Sequence, residues 1–156
     1  MTRASALLFG LALASSLAAC GGHEFEPPDR GERVREAAAG YSPALFDTVA
    51  WGSEEERSAQ GNQVYVDKCR RCHGPLGEGG TDYARERKLE VPSLVEPEWA
   101  LAAEDSLHRV VYVGHEDGMP IYGDGGISPR EIDAVADYIL NVLRPDVLRS
   151  AGSAGH

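Results

Sequence analysis

The chain contains the run Cys69-Arg70-Arg71-Cys72-His73, in which two thiols are separated by two residues and followed at once by an imidazole. In a helical turn the two thiols lie on one side, where both can add to the vinyl groups of a haem. The adjacent His73 then points at the iron. The run therefore predicts one covalently bound haem c, attached through Cys69 and Cys72, with His73 as an axial ligand.

Three other uses of a C-x-x-C pair compete with this interpretation. A thioredoxin-like redox pair follows a strand in a βαβ unit, whereas the sequence before Cys69 is helical in character. A zinc site needs a second cysteine pair or a His-x-x-x-His motif to complete four ligands, and the chain has neither. A structural disulfide gives no reason for the histidine beside it. The residues therefore favour haem attachment.

The N-terminus has the features of an export signal. Arg3 provides a positive charge, and an apolar stretch too short to span a bilayer runs from Leu7 to Ala19. The stretch ends in Leu17-Ala18-Ala19-Cys20, which resembles the lipobox of bacterial lipoproteins and implies cleavage before Cys20 and acylation of that residue. The alternative is an ordinary signal peptide that leaves Cys20 as a free thiol. Lipidation is favoured because Cys69 and Cys72 are used by haem, so no cysteine is left unexplained.

Length and charge limit the remaining possibilities. The chain has 156 residues, which is enough for one modest domain with extensions. We expect a signal peptide at 1–19, a lipid-anchored tether and arm at 20–52, the folded domain at 53–148 and a disordered tail at 149–156. The net charge of −10 argues against nucleic-acid binding, which needs clustered lysine and arginine. We therefore expect an exported protein that faces the periplasm or extracytoplasmic space, held at the membrane by acylated Cys20.

The second half of the tether region contains Tyr41, Phe46 and Trp51, and such aromatic residues are unusual in a free linker. We expect them to pack onto the domain as an N-terminal arm. The first helix of the domain starts at Ser53, where Ser53 and Glu56 form a predicted capping box. This helix then delivers the two haem cysteines at its end.

The last helix is predicted from a second capping box, Ser128 with Glu131, and from a proline at the first helical position. Apolar residues recur at helical spacing along it, and Pro145 is expected to end it. Shorter helices are expected near Pro97 and over Leu107–Val113, the latter ending at Gly114. Strand-like alternation is nearly absent, so the predicted fold is a small all-α domain.

Met119 is the predicted second axial ligand of the iron. It is the only thioether in the mature chain and lies in Gly118-Met119-Pro120, a loop between two predicted helices. A methionine that only fills the core is expected on a helical face, so this position favours ligation. His115, four residues earlier, is the rival candidate.

The segment from Ser53 to Leu143 resembles the class I cytochromes c. The matching residues are Gly61 and Tyr65 on the first helix, Cys69 to Gly74, Val91-Pro92-Ser93-Leu94, Gly118-Met119-Pro120, and Val135 and Tyr138 on the last helix. The resemblance implies that the first and last helices cross beside a covalently bound haem. It also implies that the carbonyl of Pro92 accepts a hydrogen bond from His73 and orients it.

The expected function is one-electron transfer rather than enzymatic catalysis, because two protein ligands saturate the iron. The leading interpretation is a membrane-anchored carrier that serves redox partner proteins of a respiratory chain. A fixed cytochrome c subunit of a larger oxidase or other oxidoreductase complex is the alternative, and a peroxidase needs a vacant iron site or a second haem. The candidate residues of an apolar haem pocket are Leu94, Ile121, Ile139 and Leu143.

Several further residues have weaker patterns. Contacts to the haem propionates are possible for Tyr83, Arg85, Arg87 and Trp99, although each is also an ordinary surface or core residue type. His108 is expected to be a solvated polar residue on a short helix. His23 and His156 lie in the tether and tail and suggest no role.

Overall fold

The computed structural model describes residues 29–96, 99 and 103–153. Every regular element in these ranges is helical, which confirms the predicted all-α class. The elements are α1 (Arg30–Gly40), a 3₁₀ turn (Pro43–Phe46), α2 (Glu54–Val64), a π-helical turn (Tyr65–Cys69), α3 (Arg70–His73), α4 (Asp82–Glu86), α5 (Glu104–Val113), α6 (Pro129–Asp137), a second π-helical turn (Tyr138–Leu143) and α7 (Arg144–Ser153). Among the described residues, no helix combines the length and apolarity needed to cross a membrane.

The signal peptide, Cys20 and His23 lie outside the described residues, as do His156 and most of the segment near Pro97 where a helix was expected. The helix predicted over Leu107–Val113 is α5. It ends as expected at Gly114, whose φ is 73° and whose N–H donates to the carbonyl of Val110 at 2.9 Å. Glycine reaches this positive φ without the steric cost that a Cβ imposes.

The helix that carries the cysteines starts at Ser53, whose hydroxyl accepts from the N–H of Glu56 at 3.2 Å. The predicted reciprocal bond is wrong in one detail, because the Glu56 carboxylate accepts from the N–H of Gly52 at 3.0 Å and not from Ser53. α2, the first π-helical turn and α3 follow one another without a break. Gly74, with a φ of 84°, ends this continuous helix directly after His73.

The second long helix consists of α6, the second π-helical turn and α7. The predicted capping box at its start is confirmed, since Ser128 and Glu131 bond to each other's backbone N–H groups. The prediction that Pro145 ends the helix is wrong, because α7 continues to Ser153. A proline clashes with the carbonyl four residues before it in a regular α-helix, and the wider π-helical turn before α7 relieves that clash. Residues 149–153, expected in a tail, are therefore helical.

The two long helices pack closely where α2 meets α6. A Cβ on Gly61 would lie 2.6 Å from the Cβ of Tyr138 and would overlap the carbonyl of Ala134. The rings of Tyr65 and Tyr138 pack beside this contact with their centres 5.7 Å apart. The predicted contact between the first and last helices is thus confirmed, and it needs glycine because only a residue without a side chain fits.

The N-terminal arm, residues 29–52, packs onto the domain through its aromatic side chains, as expected. Tyr41 meets the ring of Tyr112 edge-on, with the ring centres 5.5 Å apart. Phe46 stacks on a histidine of α5. Trp51 donates its indole N–H to Asp133 of α6 at 2.7 Å. The arm therefore covers the α5–α6 side of the domain.

Candidate functional site

Cys69 and Cys72 lie at the end of the continuous helix, the first in the π-helical turn and the second in α3. Cys69 packs against the hydrophobic core. Burial raises the pKa of its thiol to about 12, and the neighbouring Cys72 acts in the same direction. Reactive thiols of redox C-x-x-C motifs have lowered pKa values, so this environment argues against the thioredoxin-like alternative.

His73 follows the two cysteines directly, and the residue is partly buried. Its Nδ1 atom is buried and has no hydrogen-bond partner among the described residues. Burial lowers the pKa of His73, and the nearby backbone of Pro92 has a smaller effect in the opposite direction. The geometry between Pro92 and Nδ1 of His73 is not that of a hydrogen bond. Neutral imidazole is the form that binds metals, so His73 has the protonation state that an iron ligand requires.

Gly79 explains how Pro92 comes close to His73. The N–H of Gly79 donates to the carbonyl of His73 at 2.8 Å, which folds the chain back onto the end of the helix. A Cβ on Gly79 would lie 2.6 Å from the carbonyl oxygen of Val91 and 3.3 Å from that of Pro92. The two segments therefore touch at a glycine, and the segment predicted to orient His73 lies beside it.

Two tyrosine hydroxyls bind the carbonyl groups around the cysteines. Tyr65 donates to the carbonyl of Gly74 at 2.7 Å, and Tyr122 donates to that of Lys68 at 2.9 Å. The pKa of Tyr122 is raised to about 12 by burial and by the thiols of Cys69 and Cys72. Tyr122 therefore binds the helix directly before Cys69, a position that the sequence analysis did not identify. In the sequence, the only indication of this position is that Tyr122 follows the predicted ligand Met119 by three residues.

Met119 lies in the loop between α5 and α6, and its side chain is partly buried. The loop forms a turn, in which the N–H of His115 donates to the carbonyl of Met119 at 3.1 Å and that of Gly118 donates to His115 at 3.2 Å. The same loop brings Tyr122 to the cysteines. His115, the rival ligand, has a side chain 63% exposed and paired with Asp117 at 2.9 Å, so its surroundings favour Met119.

The predicted pocket residues divide by burial. Leu94, Ile139 and Leu143 belong to one buried cluster against which Cys69 packs, whereas Ile121 is only partly buried. Two thiols and a neutral imidazole with an unpartnered buried nitrogen thus lie beside an apolar core. This donor set and its apolar neighbours fit a covalently attached haem.

The four residues proposed to contact the haem propionates lie in three different surroundings. The ring of Tyr83 is covered by the guanidinium groups of Arg71 and Arg87, at 4.3 and 3.8 Å from its centre. Arg85 is paired with Asp82 on the surface. Trp99 instead packs against Arg144, a buried arginine that donates to the carbonyls of Leu94 and Glu96. The sequence analysis missed Arg144, which follows the last predicted pocket residue directly.

A partly buried ion-pair network lies between α2, α5 and α6. Arg57 holds Asp133 with two hydrogen bonds of 2.8 Å, Asp137 with one of 3.1 Å, and also Glu104. Burial opposes its charge, but these carboxylates raise the pKa of Arg57 overall. The sequence offered a signal for this network, since Asp133 and Asp137 are one helical turn apart among buried apolar residues.

The expectation that His108 is solvated is wrong. The residue is buried, and Phe46 of the arm stacks on its ring with 4.0 Å between the ring centres. Its Nε2 lies 3.6 Å from Asp133 and 3.8 Å from Glu104. These three side chains have metal-ligand spacing, but Arg57 donates to both carboxylates and already neutralises part of their charge.

An all-helical domain whose first long helix ends in C-x-x-C-H, beside an apolar core and against a second long helix, defines a c-type cytochrome domain. The family model described as Cytochrome C oxidase, cbb3-type, subunit III matches residues 56–139, more than half of the chain. The chain belongs to this family. Membership implies haem c as the cofactor and electron transfer as its use.

The comparison with curated proteins gives a relative from Bradyrhizobium diazoefficiens, the Cbb3-type cytochrome c oxidase subunit FixP. It is 26% identical over 83 residues, which is 53% of this chain and 26% of that protein. The chain thus spans about a quarter of the length of this relative. No solved structure showed a significant match.

Proposed function

We propose that the protein transfers single electrons through one haem c, bound covalently by Cys69 and Cys72 and ligated by His73 and Met119. The observation that supports this most directly is the position of His73, which follows both thiols at the end of a helix, beside the buried cluster against which Cys69 packs. The haem supplies the one-electron couple between ferric and ferrous iron. The chain's own residues hold it, orient it and limit the access of water.

In this proposal His73 and Met119 would both bind the haem iron. No ligand position would then remain for oxygen or peroxide, which favours electron transfer over a peroxidase activity. A thioether is a soft, neutral ligand and favours ferrous iron. The apolar side chains of Leu94, Ile139 and Leu143 favour the same state, because a low-dielectric environment disfavours the extra positive charge of ferric iron. The segment at Pro92, which touches Gly79 beside His73, would help to fix the orientation of this imidazole.

Axial ligation is tested by absorption spectra of the purified exported protein and two variants. The oxidised protein is expected to show the weak long-wavelength band of a methionine–iron bond, and the reduced protein is expected not to bind carbon monoxide. Met119→Ala removes the sulfur and is expected to abolish the band and to allow carbon monoxide binding. His115→Ala is the matched control and leaves both properties unchanged. If His115 were the sixth ligand, the wild-type protein would lack the band, and carbon monoxide binding would appear in His115→Ala and not in Met119→Ala.

The proposed location is the extracytoplasmic side of a membrane, with residues 1–19 as a signal peptide, Cys20 acylated and residues 20–52 as tether and arm. The support is the lipobox-like sequence and the balance of cysteines. Cys20→Ser is expected to move the haem-loaded protein from the membrane fraction to the soluble fraction. A protein that stays with the membrane after this change would point to another anchor.

The proposed partners are redox proteins of a membrane respiratory chain, with the protein acting as a tethered carrier. A second candidate is a fixed cytochrome c subunit of a larger oxidase complex, which the family match and the likeness to an oxidase subunit favour. Native gel electrophoresis after mild detergent extraction separates the two. A free carrier migrates alone, and co-migration with a large complex that contains oxidase activity supports the subunit.

A further inference from the structure

The first turn of α1 contacts the loop that carries Met119, far away in the sequence. The Nε of Arg30 donates to the carbonyl of His115 at 3.0 Å, and its Nη2 donates to the carbonyl of Met119. One guanidinium group therefore bridges the first and last residues of the turn at 115–119. The planar fork of arginine suits this task, since it presents two donors in a fixed geometry.

A second contact joins the same two segments. A carboxylate oxygen of Glu116 lies 3.3 Å from the position that a Cβ on Gly31 would occupy, against the N-terminal turn of α1. Asp29 caps this turn by accepting from the N–H of Glu32 at 2.8 Å. The start of α1 is thus a capped turn, and the loop lies against it at Glu116 as well as at the carbonyls that Arg30 binds.

The loop has few restraints of its own. Its two internal backbone hydrogen bonds, from His115 to Met119 and from Gly118 to His115, end on the same two carbonyl groups that Arg30 binds. A third internal bond runs from the N–H of Asp117 to Nδ1 of His115 at 3.3 Å. The side chains between them, Glu116 and Asp117, are exposed. Arg30 therefore gives each of these carbonyls a second donor and ties the turn to the arm.

We propose that Arg30 is a positioning residue for the sixth iron ligand, holding Met119 in its binding conformation from outside the cytochrome domain. The inference rests on the proposed function, since it assumes that Met119 is that ligand. Without Arg30 the turn would sample conformations in which Met119 is displaced from its binding position, and an external ligand would bind in its place more often. The arm is then part of the electron-transfer site as well as a link to the membrane.

The test uses the full-length, haem-loaded protein and the variant Arg30→Gln, which loses the fork but keeps a polar side chain. Arg33→Gln is the matched control, because Arg33 is exposed on the same helix and its side chain has no hydrogen bond among the described residues. Binding of imidazole to the ferric protein is measured by stopped-flow absorption. We expect it to be about tenfold faster in Arg30→Gln, as loss of two hydrogen bonds predicts, and within about twofold of wild type in Arg33→Gln.

Hydrogen exchange supplies a readout that does not depend on the iron. The amides of His115 and Gly118 are expected to exchange faster in Arg30→Gln, while the amides of α6 do not change. Arg30→Lys keeps the charge without the fork and is expected to give intermediate values, which covers the case in which Arg30→Gln does not fold. Equal imidazole rates and equal exchange for the Arg30 and Arg33 variants would overturn the inference.

The test separates this inference from the proposed ligation. If the wild-type spectrum shows a methionine–iron bond and Arg30→Gln behaves as Arg33→Gln, only the role of Arg30 is wrong. If Met119→Ala leaves the wild-type spectrum unchanged, the proposed ligation is wrong and the inference falls with it.

Discussion

The two proposed iron ligands lie in regions of opposite character. His73 ends a helix that is anchored at the α2–α6 contact, where Tyr65 and Val135 are almost completely buried. Met119 lies in a loop with exposed neighbours and few hydrogen bonds of its own. The comparison indicates that the folding core fixes one ligand, whereas contacts with the arm fix the other. Changes in the core should therefore reduce stability, and changes around the loop should alter ligation at little cost in stability.

The largest loss of stability is expected from Arg57→Met. This change leaves Asp133 and Asp137 buried without their cation, and breaking a buried ion pair in this way costs about 3–5 kcal/mol. Arg149→Gln is the control, because its pair with Asp146 is exposed, and we expect less than about 1 kcal/mol. Urea unfolding of both variants measures the difference, and equal losses would show that the network does not stabilise the core.

A smaller loss is expected from Gly61→Ala, which puts a methyl group against the carbonyl of Ala134 and the Cβ of Tyr138. Because a backbone group cannot move aside cheaply, we expect a loss of about 3 kcal/mol. Gly152→Ala is the control in α7, where a Cβ meets nothing within 4 Å, and should stabilise the helix by about 0.5–1 kcal/mol. Thermal unfolding compares them, and a Gly61→Ala protein as stable as wild type would contradict the close contact.

Between the two regions lies Tyr122, which connects the Met119 loop to the cysteine helix. Tyr122→Phe removes the hydrogen bond to Lys68 and should cost about 1 kcal/mol. Tyr83→Phe removes a hydroxyl that has no hydrogen bond among the described residues and should cost less. Unfolding in urea resolves the difference, and a Tyr122→Phe loss no larger than that of Tyr83→Phe would show that this bond adds nothing.

The smallest predicted effect is on the pH dependence of stability, through His108. Burial lowers the pKa of His108 below its ordinary value of 6.5, against the opposing effect of Glu104 and Asp133. The unfolded chain then binds a proton before the folded one does, so this residue makes stability fall as the pH drops below 6.5. His108→Gln should show a shallower fall than wild type in unfolding experiments between about pH 6.5 and 5. Parallel curves would mean that His108 titrates normally.

The sequence was sufficient for the regions that short motifs determine. Ser128 and Glu131 predicted the start of α6, because a capping box depends on residues three positions apart that pattern analysis can compare directly. The contact between the long helices was instead implied by the resemblance to the class I cytochromes c at Gly61, Tyr65, Val135 and Tyr138.

The features that were missed depend on contacts between distant segments. His108 is buried because Phe46, outside the domain, covers its ring. Arg30 reaches its two acceptors across more than eighty residues of sequence. Pro145 fails to end the last helix because of a π-helical turn that no local pattern announces. In each case a long-range or irregular backbone interaction overrides the local preference.

The most direct test of the central claim is the intact mass of the purified exported protein, measured after denaturation. A single haem attached through Cys69 and Cys72 stays on the chain under these conditions and adds its mass once. A denatured polypeptide that carries no tetrapyrrole and retains two free thiols would contradict the assignment.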